Sequence, residues 1–384
     1  MSDFDLALVG FGAAAMSLAV RLSAHYPGRI AVVEPRPLPL DDQTWCGWRV
    51  HDHPFIEQVE RSWTSWSVRY ADEDLVRSSQ RLPYEMLRSS AVQQRALGAV
   101  EIRDDWSYLG GVSLVDSALE ADSWRLTLSD GREISAKRVM DSRAPTLQLP
   151  RPWVWQSFIG REISGPDLDG SGPVGLMHFL EDDEPLLTFV YELPISDSRR
   201  LVELTRFTPN RPDRAELASA LDRLLEQRRC GGYTVKREEY GNLPMAPIAP
   251  YDRDGWMRTG TAGGSMRPAT GYAFHGIQQW ADQCADALIA GHEPAPPGRQ
   301  RIMDWLDGVF LESLWADAEL GQAPERFMTL FRNTPPESLV RFLMSQPRAL
   351  DLWGVLRALP APPMIAAAGR YSLKRRQLAC PTQA

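Results

Sequence analysis

The stretch Asp5–Pro37, DLALVGFGAAAMSLAVRLSAHYPGRIAVVEPRP, decides the reading of this chain. An apolar run enters a Gly10-x-Gly12-x-x-Ala15 turn, an amphipathic helical pattern follows, and a second apolar run ends at Glu34. Together they form a βαβ unit with the spacing of a dinucleotide-binding fingerprint. Gly10 permits the tight turn, Gly12 lets the backbone approach a pyrophosphate, and Ala15 is small enough for close packing of helix on strand. The helix N-terminus offers unpaired N–H groups and a positive dipole end to phosphate. Glu34 is placed to accept from an adenosine ribose 2′-OH, with Arg36 just beyond it. The unit predicts FAD or NAD(P) binding.

At 384 residues the chain exceeds the usual size of one domain, and one intertwined two-domain body is expected. A hydrophobic content of 43% with 24% charged residues is that of a soluble globular enzyme. The net charge of −8 gives no footprint for nucleic acid. Cys46, Cys230, Cys284 and Cys380 are scattered without a C-x-x-C pair, which fits a reducing cytoplasm, and no metal is expected. The start of the chain carries acidic residues and no basic region before its apolar run, so it reads as a strand and not a signal peptide. No apolar run approaches 18 residues, so lipid contact would be peripheral.

A second glycine-rich stretch, Gly260–Trp280 (GTAGGSMRPATGYAFHGIQQW), follows a short apolar strand pattern and opens a helix. Gly263 and Gly264 let backbone amides approach a cofactor there, and Thr270 and Arg267 lie on the same loop. Asp141 and Arg143 stand in a turn at the C-terminal edge of the strand AKRVMD, where ligands of open α/β sheets collect. A hairpin is expected through Ser129-Asp130-Gly131. The run 81–97, RLPYEMLRSSAVQQRAL, reads as helical, with Tyr84, Leu87 and Val92 on one face. In RRLVELTRF, period two places Leu201, Glu203, Thr205 and Phe207 on one face of a strand and Val202, Leu204 and Arg206 on the other. The last hundred residues read as amphipathic helices mixing Leu, Phe and Trp with Arg, suited to a bilayer surface or to covering the protein's own core.

These pieces resemble the FAD-dependent lycopene cyclases of bacteria and plants over nearly the whole chain. The resemblance is carried by LVGFGAAAMSLAVRL, VVEPRP, DDQTWCGW, VMDSRAP, FVYELPIS, LVELT, GNLPMAP and GTAGGSMRPATGYAFHGIQ. It implies an α/β flavoprotein of the glutathione-reductase type, with a Rossmann-like FAD-binding domain, an inserted β-rich substrate domain and C-terminal helices. The corresponding division is 1–75 and 76–150 for the FAD-binding domain and its hairpin, 151–250 for the substrate domain, 251–293 for the return, and 294–384 for the helical segment. It further implies reduced FAD used without net redox change, NAD(P)H as a possible reductant, and conversion of the linear ψ ends of lycopene to β-ionone rings.

Such a cyclisation protonates an alkene, closes a ring through a tertiary carbocation and loses a proton. It needs a carboxylic acid kept protonated in a dry pocket and a negative surface for the cation. Glu203 aligns with the first acidic residue of the family's paired motif; Leu204 replaces the second. His178 stands where the family usually has an acid and is read as a proton acceptor. Trp45, Trp48, Tyr272 and Phe274 are expected to line an apolar tunnel for a polyene. Gln43, Gly47, Ser265 and Ala269 also depart from the family pattern, which leaves open a same-family cyclase acting on another terpenoid or polyene, or an FAD-dependent monooxygenase or halogenase.

Overall fold

The computed structural model describes residues 3–144, 153–166, 168, 170–181, 187–228, 232–249, 251–298, 301–315 and 323–379. Cys230 and Cys380 lie outside the described residues; Cys46 and Cys284 are free thiols.

The fingerprint folds as β1 (Phe4–Val9), α1 (Ala13–Leu22) and β2 (Ile30–Glu34). Next come β3 (Thr44–Trp48), β4 (Val59–Trp63), β5 (Ser65–Tyr70), β6 (Glu73–Ser78), β7 (Tyr84–Arg88) and α2 (Ser89–Glu101). Then β8 (Ser107–Gly110), the hairpin β9 (Leu114–Glu120) and β10 (Ser123–Leu128), and β11 (Glu133–Asp141) complete the first third. The expected turn joins β10 to β11, with Gly131 N–H donating to the Leu128 carbonyl.

The middle of the chain contributes β12 (Val154–Ser164), β13 (Val174–Phe179), β14 (Thr188–Ser196), β15 (Arg199–Thr208), α3 (Arg214–Gln227) and β16 (Thr234–Met245). It returns through β17 (Asp252–Arg253), β18 (Trp256–Arg258), a 3-10 turn at Gly260–Gly263 and α4 (Phe274–Ile289). Five helices close the chain: α5 (Arg301–Trp315), α6 (Ala323–Asn333), α7 (Pro336–Leu343), α8 (Ala349–Ala358) and α9 (Ala361–Ala379).

Three sheets organise these elements. In the first, β8, β2, β1, β11 and β18 run parallel, with the β9–β10 hairpin added at β11. The central strands are apolar along their length because both faces are covered: α1, α2 and α4 pack on one, and the hairpin side closes the other. The second sheet has the order β16-β12-β15-β14-β13-β5-β6. Its residues alternate as a two-sided sheet requires. Val202 and Leu204 pack with Leu217 and Leu221 of α3, while Leu201 and Phe207 face a core shared with α5–α9. The third sheet, β3-β7-β4, joins the other two.

Two expectations are corrected. The run 81–97 is not one helix: residues 84–88 form β7, which pairs with β3 on one side and β4 on the other, and the helix begins at Ser89. A central strand buried on both faces has no alternation to betray it. The 1–75 portion also does not belong wholly to the first sheet. β5 pairs in parallel with β13, so residues 65–78 extend the second sheet.

Trp66 is fully buried on β5 and meets Trp48 edge-on at 5.1 Å between ring centroids. Trp66→Ala is expected to cost about 3–5 kcal/mol, read as a lowered urea midpoint with an unchanged denaturant slope.

Candidate active site

The nucleotide end is built by the first sheet. Gly10 has φ +79°, and a Cβ there would stand 3.0 Å from the Ser142 hydroxyl oxygen, so the turn admits only glycine. Gly12 caps α1 without a side-chain hydrogen bond, and the first turn holds no acidic residue, which leaves the leading amides to an anion. Ala15 is buried beneath them. Glu34 Oε2 accepts the Phe11 N–H at 2.7 Å, and Oε1 accepts Arg36 Nε at 2.8 Å, which fixes the glycine turn to the end of β2. Asp141 is tied to the Arg143 guanidinium by two bonds of 2.9 Å, and its carbonyl accepts the Thr259 N–H of the late turn.

Gly264, at φ +83°, ends the 3-10 turn, and a Cβ on it would lie 2.6 Å from the Ile248 carbonyl oxygen. A Cβ on Gly263 would lie 2.3 Å from the Arg258 carbonyl oxygen. Both glycines are therefore required by the turn's own packing. Around this turn the buried hydroxyls of Thr259, Ser265 and Thr270 have no hydrogen-bond partner in the protein. Buried polar groups are nearly always paired. Uncapped amides at α1 and three unpaired hydroxyls along the return fit a polar, phosphate-bearing cofactor such as FAD.

Beyond the return lies an apolar cavity. The second sheet supplies one wall, with Phe158, Tyr191, Glu203 and Glu239, and the C-terminal helices supply the opposite one, with Phe310, Phe327 and Leu359. Thr270 and Tyr272 line it where the first sheet's return meets it. Tyr84, Tyr191 and Tyr272 gather at one side, with 2.9 Å between the Tyr84 and Tyr191 hydroxyls, and Trp48 stands edge-on behind Tyr84 and Tyr272.

Glu203 is buried and accepts a 2.9 Å hydrogen bond from Thr205. Burial, and then the Glu239 carboxylate, pushes its pKa up to about 8 against a smaller pull from Thr205 and Arg237. Glu239 was not singled out in the sequence. Its Oε2 accepts from Thr44 and from Arg237, each at 2.8 Å. Burial also raises its pKa, with Arg237 and Thr44 opposing.

The expected site residues do not all converge. Glu203 and Tyr272 line the cavity, and Trp48 backs it. Trp45 and Phe274 stack on each other at 5.7 Å, away from the cavity lining. His178 is likewise not among the lining residues: its Nε2 pairs with the Ser67 hydroxyl at 2.8 Å. Burial, then Arg69, holds its pKa down to about 4. The neighbouring Met177 lines the cavity instead, and with this the proton-acceptor reading of His178 is withdrawn. Arg267 is neither solvated nor free; it is buried in a 2.7 Å ion pair with Asp307 on α5. Leu204 points to α3, so the family's second acidic position faces away from the cavity. Among the described residues one cluster has ligand-like spacing, His53, Glu85 and His275. Glu85 there already bonds His53 at 2.7 Å and has Arg49 at 3.6 Å, which balances its charge within the protein.

Residues 5–368 match the family described as lycopene cyclase protein. The chain belongs to the lycopene cyclase family. A lycopene beta-cyclase of Pantoea ananas is 26% identical over 391 residues, covering 95% of this chain and 97% of its own. Among solved structures, a flavoprotein/dehydrogenase from Cytophaga hutchinsonii aligns with a TM-score of 0.65 at 14% identity, over 97% of this chain and 99% of that one. A flavin-dependent brominase aligns with a TM-score of 0.62 at 14% identity, over 97% and 99%. The fold is thus the Rossmann-like fold of FAD-dependent flavoproteins.

A carboxyl whose folded pKa exceeds its ordinary value keeps a proton that the unfolded chain releases, so stability falls as pH rises from about 4.5 to about 8. Glu203→Gln removes that loss. Its thermal midpoint relative to the parent protein is expected to rise across this interval and level off above it, as read by calorimetry at a series of pH values.

Proposed function

We propose that the chain is an FAD-dependent lycopene beta-cyclase. The observation that carries this reading is Glu203, a carboxyl biased to its protonated form in the wall of an apolar cavity bounded by aromatic side chains. Gly10, Gly12, Ala15, Glu34 and Arg36 would hold the adenosine end of the cofactor, and Asp141, Arg143, Gly263, Gly264 and Thr270 would border the rest of it. When bound in its reduced form, with NAD(P)H as the source of electrons, FAD supplies negative charge beside a carbocation without net redox change.

The protein's own part is acid catalysis in a dry site. Glu203 donates its proton to the terminal alkene of a ψ end, the adjacent double bond attacks the cation to close the ring, and loss of a ring proton leaves the β-ionone double bond. Tyr84, Tyr191 and Tyr272 line the wall, with Trp48 edge-on behind Tyr84 and Tyr272, and supply aromatic surface to stabilise positive charge. Of the departures from the family pattern, Ala269 lines the cavity, whereas His178, Leu204 and Ser265 do not. This favours lycopene over a different polyene.

Expression in a lycopene-accumulating bacterial host tests the reading through the pigment chromatogram. Conversion to γ- or β-carotene is expected, and Glu203→Gln is expected to lower it by at least about 10²-fold with flavin still bound. Unchanged lycopene beside soluble, flavin-loaded parent protein would overturn the substrate.

An apolar substrate also calls for membrane access. Among the described residues no helix is long and apolar enough to cross a membrane. We place the contact on α8 and α9, from the cytoplasmic side. Leu350, Trp353 and Leu356 are exposed along one side of α8, Ile365 is exposed on α9, and Leu359 between them lines the cavity. Residues 352–384 carry five Arg and Lys and no Asp or Glu, in a chain of net charge −8. Apolar exposure next to basic charge fits an anionic bilayer surface. Flotation with anionic vesicles is expected to carry the parent protein upward and to leave Trp353→Ser/Leu356→Ser at the bottom. Equal flotation of both would remove α8 from the contact.

A further inference from the structure

Gly160 is in register with Glu203 on β15 and with Glu239 on β16. Tyr191 on β14 is in turn in register with Glu203. Residues opposite one another across a sheet share a face. Tyr191, Glu203, Gly160 and Glu239 therefore form one row across four strands, and the three with side chains line the cavity. At the centre of the row there is no side chain. A Cβ on Gly160 would stand 3.2 Å from Glu239 Cγ, 3.3 Å from its Oε1 and 3.3 Å from Leu201 Cδ1, so Glu239 leans over the glycine toward the strand of Glu203, with Leu201 beside it. Its other oxygen, Oε2, is the one held by Thr44 and Arg237.

We propose that Glu203 and Glu239 work as a carboxylate pair across Gly160, in which Glu239 keeps the proton on Glu203 and accepts the proton that the cyclised cation loses. The assignment rests on the protonation-initiated cyclisation argued above. Two nearby carboxyls do not both ionise readily, and the one with the better partners ionises first. Glu239 has a guanidinium and a hydroxyl; Glu203 has a hydroxyl alone. The other charged and titratable neighbours do not reverse this order. Cys46 on β3 and the phenols of Tyr84, Tyr191 and Tyr272 are all raised by burial, and Arg267 is paired with Asp307. Arg237 also lies 3.8 Å from Glu162 and 3.9 Å from Asp41, beyond hydrogen-bonding reach, while its bond to Glu239 is 2.8 Å.

The step balances within the pair and the substrate. The Glu203 O–H bond breaks as a C–H bond forms at the alkene, and the second alkene supplies the electrons of the ring C–C bond. A C–H bond beside the cation then breaks to give the ring double bond, and its proton goes to Glu239 Oε1. Return of that proton to Glu203 restores the pair, with no oxidant or reductant consumed. While the cation exists both carboxyls are ionised, so it faces two negative charges.

The test is an infrared titration of the protonated carboxyl stretch in the flavin-loaded full chain, for the parent, Glu203→Gln, Glu239→Gln and Gly160→Ala. The parent is expected to lose a carboxyl band as pH rises through about 8, and Glu203→Gln to lack it. In Glu239→Gln the midpoint falls by about one unit or more, and the alkaline limb of the cyclisation rate moves with it. Its kcat falls about 10²-fold or more with KM little changed. Gly160→Ala, which keeps every charge and displaces Glu239, moves the midpoint in the same direction and serves if Glu239→Gln does not fold. No band in the parent, or a midpoint unmoved by either variant, overturns the pair. The titration needs no turnover, so a chain inactive on lycopene with the band shifts intact would fault the substrate and not the pair.

Discussion

A carboxyl group buried beside a second carboxyl cannot hold full charge, and the substrate half of this protein is arranged around that restriction. The second sheet sets Glu203 and Glu239 on the same face, two strands apart, and closes that face with the C-terminal helices. Arg237 and Thr44 both donate to Glu239, whereas Glu203 accepts from Thr205. Water exclusion is the condition for this asymmetry, since bulk solvent would return both groups to their ordinary range. The aromatic and aliphatic side chains of α5–α7 are what exclude it. The raised folded-state pKa of Glu203 costs stability at neutral pH.

The cofactor half follows a different constraint, that of backbone approach. Gly10 and Gly264 adopt left-handed conformations in two strand-to-helix turns of the first sheet; β11 stands between their strands, and its Asp141 carbonyl accepts the Thr259 N–H of the second turn. β18 brings the second turn there by pairing with β11. The chain leaves the first sheet after β11, builds the second, and comes back in register. The cavity therefore opens against the same loop, Ala269–Tyr272, that borders the cofactor turn. Both halves therefore share a wall.

The first sheet was legible because parallel strands with crossover helices carry fixed signals: an apolar run, a glycine turn, an amphipathic helix. The strand face of Glu203 was legible too, since β15 has one apolar side against α3 and alternates accordingly. What escaped notice depends on pairing between distant segments. Glu239 sits in a charged run, KREE, that reads as a solvated edge until β16 is laid against β12. β7 read as helix because both its faces are buried. His178 and Met177 are neighbours pointing to opposite sides, and the choice between them turns on register shifts in β13 that no local pattern records. Arg267 looked like a loop cation until α5 brought Asp307 beside it.

The orientation of Leu204 follows from the same geometry. Adjacent positions on a strand face opposite ways, so a carboxylate at 204 would point into the apolar layer formed with Leu217 and Leu221 of α3 and would not meet the cavity. Leucine there adds apolar contact behind the sheet. A partner for Glu203 must come from a position in register across the sheet, and in this chain the strand between offers a glycine in place of a side chain. The second carboxyl of the site is then set by strand pairing and not by proximity in sequence, with Glu239 36 positions away along the chain occupying the place that residue 204 cannot reach.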